Sequence, residues 1–243
     1  MTVIPQRYTG SGKRERVENM FDSIAPKYDL LNRVLSAGID KGWRKKAIDL
    51  LIPLQPKSIL DIATGTADFA LEAERLKPTA IKGVDISEQM LAVGRKKIAE
   101  RKLSGVITLE RGDSEQLQFA DNTFDAVTVA FGVRNFENLE KGLTDMLRVL
   151  KPGGMAVILE FSQPQQFPVK QFYRFYSRYI LPTIGQLVSK ERSAYEYLPE
   201  SVAAFPYGKQ FTDILENCGY TSTAYYPLTF GIAGIYTGIK KNA

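Results

Sequence analysis

Between Ser58 and Phe161 the chain alternates between two hydrophobic periods, and that alternation leaves few folds open. Short apolar runs at Ser58–Asp61, Ile81–Val84, Val106–Glu110, Phe124–Phe131 and Met155–Phe161 read as strands. Helical patterns at Thr66–Leu76, Ser87–Arg101 and Leu139–Leu150 lie between them. Strands connected through helices run parallel, with helices on both faces of the sheet. The runs "YTSTAYYPL" and "GIAGIYTGI" close the chain with too short a link for a helical crossover, so they pair antiparallel. The expected fold is α/β, with a mostly parallel seven-stranded sheet and an antiparallel last strand.

Three further helical patterns precede the first strand. Val17, Met20, Phe21 and Ile24 share the face of one; Pro26 ends it and opens the next. The third, "DKGWRKKAIDLL", takes Asp40 as its cap. Residues 1–54 are thus expected to form a helical cap and residues 55–243 the core. An aromatic, lid-like insertion is expected near 165–205, with helices at Pro168–Ile180 and Ser193–Ala203. A last helix is expected at Lys209–Glu216.

Composition removes several chemistries. The 243 residues suffice for one α/β domain, and 44% hydrophobic with 24% charged residues suits a globular chain. No run approaches the ~18 apolar residues of a membrane span. The opening stretch lacks the apolar centre of a signal peptide, so a cytoplasmic location is expected. A single cysteine, Cys218, excludes an intrachain disulfide and a cysteine-based metal cluster, and no metal is expected. There is no histidine, so His-based acid–base and nucleophilic pairs are excluded. Catalysis falls to carboxylates, Tyr, Lys, Arg or a cofactor. The net charge of +5 says little by itself.

The first strand ends in "LDIATGTAD". Asp61 closes the strand, Ala63 keeps the approach narrow, and Gly65 lets backbone come close to a ligand. Thr66, at the expected start of the helix, can offer a hydroxyl or N–H to an anionic group. Taken alone, this loop reads almost equally well as a plain strand–helix turn. "GVDIS" then places Asp85 at the second strand's end, twenty residues after Gly65, followed by Ile86. An acid there accepts from ribose hydroxyls; alone, it could simply cap the Ser87 helix. The pairing favours adenosine, which dinucleotides and S-adenosylmethionine share. Two glycines of G-x-G-x-x-G are missing, and a pyrophosphate needs them. "RGDSEQLQF" places Asp113 and Ser114 where an acid and a backbone N–H can meet adenine.

The order ILDIATGTAD, GVDIS, RGDSEQLQF, FDAVTVAFGVRN, LRVLKPGG resembles class I, Rossmann-like S-adenosylmethionine-dependent methyltransferases. Within them, "APKYDLLN", "AFGVRN" and "LTFGIAGIYTGIK" resemble the ubiquinone/menaquinone biosynthesis C-methyltransferases (UbiE/MenG), over about Arg16–Lys240. The resemblance implies S-adenosylmethionine as cofactor and methylation of a ring carbon of a polyprenylated quinol, in menaquinone synthesis demethylmenaquinol. It carries cofactor positions onto Thr66, Asp85, Asp113 and Ser114. Ala130 stands where relatives often have Ser, so only its backbone can serve. On that reaction, Arg134 after the fourth strand is expected to stabilise a quinol phenolate, Asn135 to orient a water or hydroxyl, and Tyr28 to position or relay a proton, with Asp29 or a water as acceptor; the resemblance favours these roles for Arg134 and Tyr28. Without it, Arg134 reads equally well as an ion pair with Glu137, and Tyr28 as packing.

"QFPVKQFYRFYSRYILPTIGQLVSK" interleaves Phe172, Tyr173, Phe175, Tyr176 and Tyr179 with Lys170, Arg174 and Arg178. Such a helix can enter a membrane interface, cover an apolar tail, stack on single-stranded nucleic acid, or pack on its own domain. A quinol drawn from a bilayer favours peripheral contact with the membrane's inner face. A homodimer is a further candidate assembly. No added basic module argues for nucleic acid. The other activities weighed are benzoquinol methylation in ubiquinone synthesis, an RNA or small-molecule methyltransferase, and a noncatalytic adenosine-binding quinone-assembly module.

Overall fold

A computed structural model of the chain describes residues 3–5, 8–10, 12–36, 38–180, 183 and 192–242. Seven strands are present: β1 Ser58–Ile62, β2 Ala80–Asp85, β3 Ile107–Arg111, β4 Phe124–Ala130, β5 Leu150–Phe161, β6 Tyr220–Leu228 and β7 Ala233–Lys240. They form one sheet in the order β3-β2-β1-β4-β5-β7-β6. The first five are mutually parallel, and β7 runs antiparallel to both β5 and β6. The closing pair is therefore antiparallel as expected, with β7 inserted beside β5 and β6 at the edge.

Both faces of the sheet are covered, and the strands read accordingly. Ile59, Ile81, Ala126 and Val157 pack on one side with α3 (Ile39–Asp49) and α4 (Asp68–Ala73). Leu60, Val84, Val127 and Ile158 pack on the other with α6 (Leu139–Val149) and α9 (Lys209–Asn217). Apolar residues at successive positions are the mark of strands buried on both faces. Burying each such side chain contributes about 1.5–3 kcal/mol, which makes this double layer the main stabilising element.

α1 (Lys13–Ile24) buries Val17, Met20 and Ile24 and lies against α5 (Glu88–Glu100). Pro26 sits in a short 3-10 turn, and α2 (Tyr28–Ser36) follows. Ser87 caps α5 as expected, its hydroxyl accepting from Met90 N–H at 3.1 Å. Two other caps differ from expectation. Gly38, with left-handed backbone (φ 77°), precedes α3, so Asp40 lies inside the helix and pairs with Arg44 one turn on. α4 begins at Asp68 after Ala67, so Thr66 sits in the loop rather than in the helix. The aromatic segment is helical over α7 (Val169–Phe175) and continues as a π-helical turn over Tyr176–Ile180. α8 spans Arg192–Ala204. Between them, 181–182 and 184–191 of the expected lid lie outside the described residues.

Candidate active site

β1 and β4 are neighbours at the point where the strand order reverses, the place where open α/β sheets bind ligands at their carboxyl ends. Both strands end in strained backbone. After β1, Ala63, Gly65 and Ala67 all adopt left-handed conformations, with φ of 50°, 54° and 65°. Only one is glycine, so each alanine carries a steric cost of about 1–2 kcal/mol. Thr64 holds the turn. Its N–H donates to Val84 O at 3.0 Å, and its hydroxyl to Asp61 at 2.6 Å. After β4, Phe131 is also left-handed (φ 58°), pinned by its N–H to Leu159 O at 2.7 Å. Strain of this kind is retained where the surrounding structure uses it.

A cavity opens between these loops and α1. Ala63, Gly65, Asp85, Ile86, Asp113, Ser114 and Ala130 all line it, as do Tyr28 and Asn135. A Cβ placed on Gly65 would meet no atom within 4 Å, so the backbone here faces open space. The two oxygens of Asp85 accept the N–H groups of Gly65 (2.8 Å) and Ser87 (2.9 Å) and retain lone pairs for a ligand. Burial pushes its carboxyl up to about 6. Asp113 accepts from Glu115 N–H and bridges Arg14 at 2.6 Å, which ties α1 over the cavity. Asp61 and Thr66 are placed differently. Asp61 is buried beneath the loop, accepting from Thr64 and Thr128, and burial likewise pushes it up to about 6. The Thr66 hydroxyl donates to Asp29 and accepts from Lys97. Asp29 is thereby committed away from Tyr28.

A second, mostly apolar cavity adjoins the first; Phe21, Tyr28 and Phe131 line both. Its floor is the stacked pair Phe131 and Phe161, 4.4 Å between centroids, with Trp43 set against both rings. Arg134 lies over Phe161 at 5.5 Å. Its ion partner is Glu160, at 2.8 Å and fully buried, and not the sequence neighbour Glu137. Arg134 Nη1 also donates to Phe131 O, while Nε is buried without a hydrogen-bond partner among the described residues. Lys13, at the start of α1, donates to the carbonyls of Arg134 (3.1 Å) and Phe136 (2.7 Å) and so fixes this loop from above. Asn135 accepts from Tyr197 OH at 3.1 Å. Burial pushes Tyr173 and Tyr197 up to about 12 and raises Tyr28 as well. At neutral pH these phenols keep their protons and act as hydrogen-bond donors.

Glu160, Phe131, Phe161, Trp43 and Arg44 line or support this cavity and carry no expected role in the sequence reading. Only Glu160 left a usable signal, as an acid inside the apolar run "MAVILEF".

The first cavity suits S-adenosylmethionine. It offers carboxylates where a ribose diol and an adenine amino group can donate, and open glycine backbone. The fold agrees. A possible histamine N-methyltransferase of Thermotoga maritima, an S-adenosylmethionine-dependent methyltransferase, superposes with a TM-score of 0.64 at 20% identity, over 92% of this chain and 99% of that one. A putative S-adenosylmethionine-dependent methyltransferase of Methanococcus maripaludis gives 0.62 at 20% identity, over 92% and 94%. The chain thus has the Rossmann-like fold of that class. Residues 9–240 match the ubiE/COQ5 methyltransferase family, and the chain belongs to it. A demethylmenaquinone methyltransferase of Bacteroides fragilis is 51% identical over 96% of both chains. A ubiquinone/menaquinone biosynthesis C-methyltransferase UbiE of Geobacter sulfurreducens is 49% identical over 96% of this chain and 91% of its own.

Proposed function

We propose that this protein methylates a ring carbon of demethylmenaquinol in menaquinone biosynthesis, and that the second cavity holds the quinol ring. The observation that carries this reading is the junction of the two cavities at Tyr28 and Phe131, with the Arg134–Glu160 pair on the quinol side. The names of the relatives agree with it.

S-adenosylmethionine supplies an electrophilic methyl group on a sulfonium. The chain's residues provide the rest. Asp85, Asp113, Ser114 and the Gly65 backbone hold the cofactor, with Ala63, Ile86 and the Ala130 backbone shaping its site. Asp61 and Thr66 stiffen the loop from beneath. The acceptor carbon needs electron density, which an ionised ring hydroxyl supplies. A phenol has an ordinary pKa near 10, and an apolar cavity raises it further. The guanidinium of Arg134 offsets that by facing the developing phenolate, with Nε–H free to donate. Arg134 stays protonated and is no base. Asn135 and Tyr28 orient the ring hydroxyl or a water. The sulfur would keep the electrons of the broken methyl–sulfur bond; once the C–C bond has formed, the ring carbon would give up its hydrogen as a proton to water, and aromaticity would return. Quinones extracted from a deletion strain test this reading. Accumulated demethylmenaquinone, restored by the cloned chain, is expected; an unchanged quinone pool, or a demethylated benzoquinone alone, overturns it.

α1 and α2 act as a cap over both cavities and α3 over the second, with α7, its continuation and α8 as a lid on the quinol side. α7 and its continuation divide their aromatics by face. Tyr173 and Tyr176 line the quinol cavity, whereas Phe172, Phe175 and Tyr179 are 71%, 57% and 56% exposed. Lys170, Arg174 and Arg178 flank them. A helix wetted by a cavity on one side and carrying bare aromatics with cations on the other fits the interface of an anionic bilayer. No described helix is long and apolar enough to cross a membrane. Flotation with vesicles containing anionic lipid should carry the protein upward, and Phe172→Ser with Phe175→Ser should reduce this several-fold. Equal flotation of both forms defeats the assignment.

A further inference from the structure

The quinol cavity has a second charged pole, on α3. Asp40 and Arg44 of α3 both line it and are almost fully buried, 4% and 7% exposed. They pair with each other, and Ser36 OH donates to the free oxygen of Asp40 at 2.6 Å. Arg44 also lies 3.7 Å from Asp68. Its guanidinium stands 5.9 Å from the Phe131 ring centroid. Arg44, Phe131, Phe161 and Arg134 therefore follow one another in series, two guanidinium groups linked through one aromatic stack. A buried ion pair is costly to desolvate, and an apolar pair of the same size would pack at no loss of stability.

We propose that Asp40 and Arg44 recognise the second oxygen of the quinol ring and select its reduced form. This rests on the reading that the cavity holds a quinol. A quinol carries two oxygens across one ring, and the Arg134–Glu160 pair serves only one of them. Arg44 carries five N–H donors and no acceptor, so it can bond either a hydroxyl or a carbonyl oxygen. Asp40 is an acceptor only. It bonds a hydroxyl and repels a carbonyl. The pair together thus accepts the dihydroxy ring and rejects the oxidised dione, which is useless as a methyl acceptor because it has no hydroxyl to ionise. Arg44 supplies affinity for both forms, and Asp40 supplies the difference between them.

Trp43 is the chain's single tryptophan and lines this cavity, so its quenching reports occupancy directly. The probe is a demethylnaphthoquinone bearing one prenyl unit, titrated anaerobically as the dione and as the dithionite-reduced quinol. Wild type is expected to bind the quinol at least about tenfold more tightly, the worth of one hydrogen bond to a charged group. In Asp40→Asn the amide can donate to a carbonyl, so the dione should gain affinity while the quinol loses it. Arg44→Lys should weaken both forms in parallel and leave their ratio near that of wild type. A merely structural role for Asp40 would lower both affinities together. Equal affinities in wild type overturn the proposal whatever the variants do, as does an unchanged ratio in Asp40→Asn. If wild type turns over no quinol at all, the functional reading falls and this one falls with it. If it turns over quinol but fails the ratio test, only the recognition role is lost.

Discussion

Arg134→Ala is expected to lower kcat by about 10²–10³-fold, the usual cost of removing one preorganised electrostatic stabiliser. Cofactor affinity should stay nearly unchanged, because Arg134 lines the second cavity and not the first. The substitution also strips Glu160 of its partner. Burial already pushes that carboxyl up against the pull of the guanidinium. Breaking a buried pair costs about 3–5 kcal/mol of stability, so a lower melting temperature is expected together with the lost turnover. Arg134→Lys separates the two effects. It keeps a charge for Glu160 but loses the planar fork and the Nε–H that lacks a partner. Turnover should remain at least about tenfold down while stability recovers. The measurements are kcat, the dissociation constant for S-adenosylmethionine by calorimetry, and thermal melting on the same preparations. A folded Arg134→Ala protein with wild-type turnover would remove Arg134 from the chemistry.

That prediction depends on a contact the sequence could not supply. Charges close in sequence pair easily within a turn, so Glu137 is the natural guess for Arg134. The actual partner is twenty-six residues away, at the end of the adjacent strand. Strand neighbours are set by sheet order, and a row of apolar runs does not encode order. The same limit applies to β7, whose antiparallel sense followed from its short link but whose place between β5 and β6 did not. The double-sided sheet itself was legible, because strands joined through helices, as from Ser58 to Phe161, run parallel with helices on both faces.

The glycine loop was legible in part. Gly65, Asp85, Asp113 and Ser114 were readable from their strand-end positions, and the structure gathers them in one cavity. The shape of the loop was hidden, because two of its three left-handed residues are alanines. Alanine takes that conformation only when surrounding contacts force it, here the Thr64 bonds to Asp61 and Val84. Thr66 and Asp40 were misread as helix starters for one reason. Both residue types favour such positions, but a left-handed residue just before each helix moved the boundary. Helical spacing in the aromatic segment predicted a helix correctly, and the split between inward tyrosines and outward phenylalanines appeared only once the cavity was placed.

Asp85 is expected to give the largest effect on cofactor binding. Asp85→Ala should weaken S-adenosylmethionine by roughly 10²-fold, since hydrogen bonds from a ribose diol to a charged group contribute about 1.5–3 kcal/mol each. It also frees the N–H groups of Gly65 and Ser87 and so loosens the loop. Asp85→Asn keeps an acceptor for one of them and should lose less. The pH dependence gives a sharper test. Burial holds the carboxyl near 6, and the ionised form is the one that accepts from the diol. Below about pH 6, affinity should therefore fall by up to tenfold for each pH unit, and the Asp85→Asn profile should be flat over the same range. Stability of the ligand-free protein runs the opposite way. A carboxyl whose folded pKa is raised binds more protons folded than unfolded, so its contribution is present below about pH 4 and lost as pH rises through about 6. Wild type should lose stability relative to Asp85→Asn across that window while gaining cofactor affinity. Urea melts and calorimetric titrations at pH 4.5 to 7.5, intervals of roughly half a unit sufficing for a one-proton transition, follow both trends. If affinity and stability rise together with pH, Asp85 is not the group that grips the ribose.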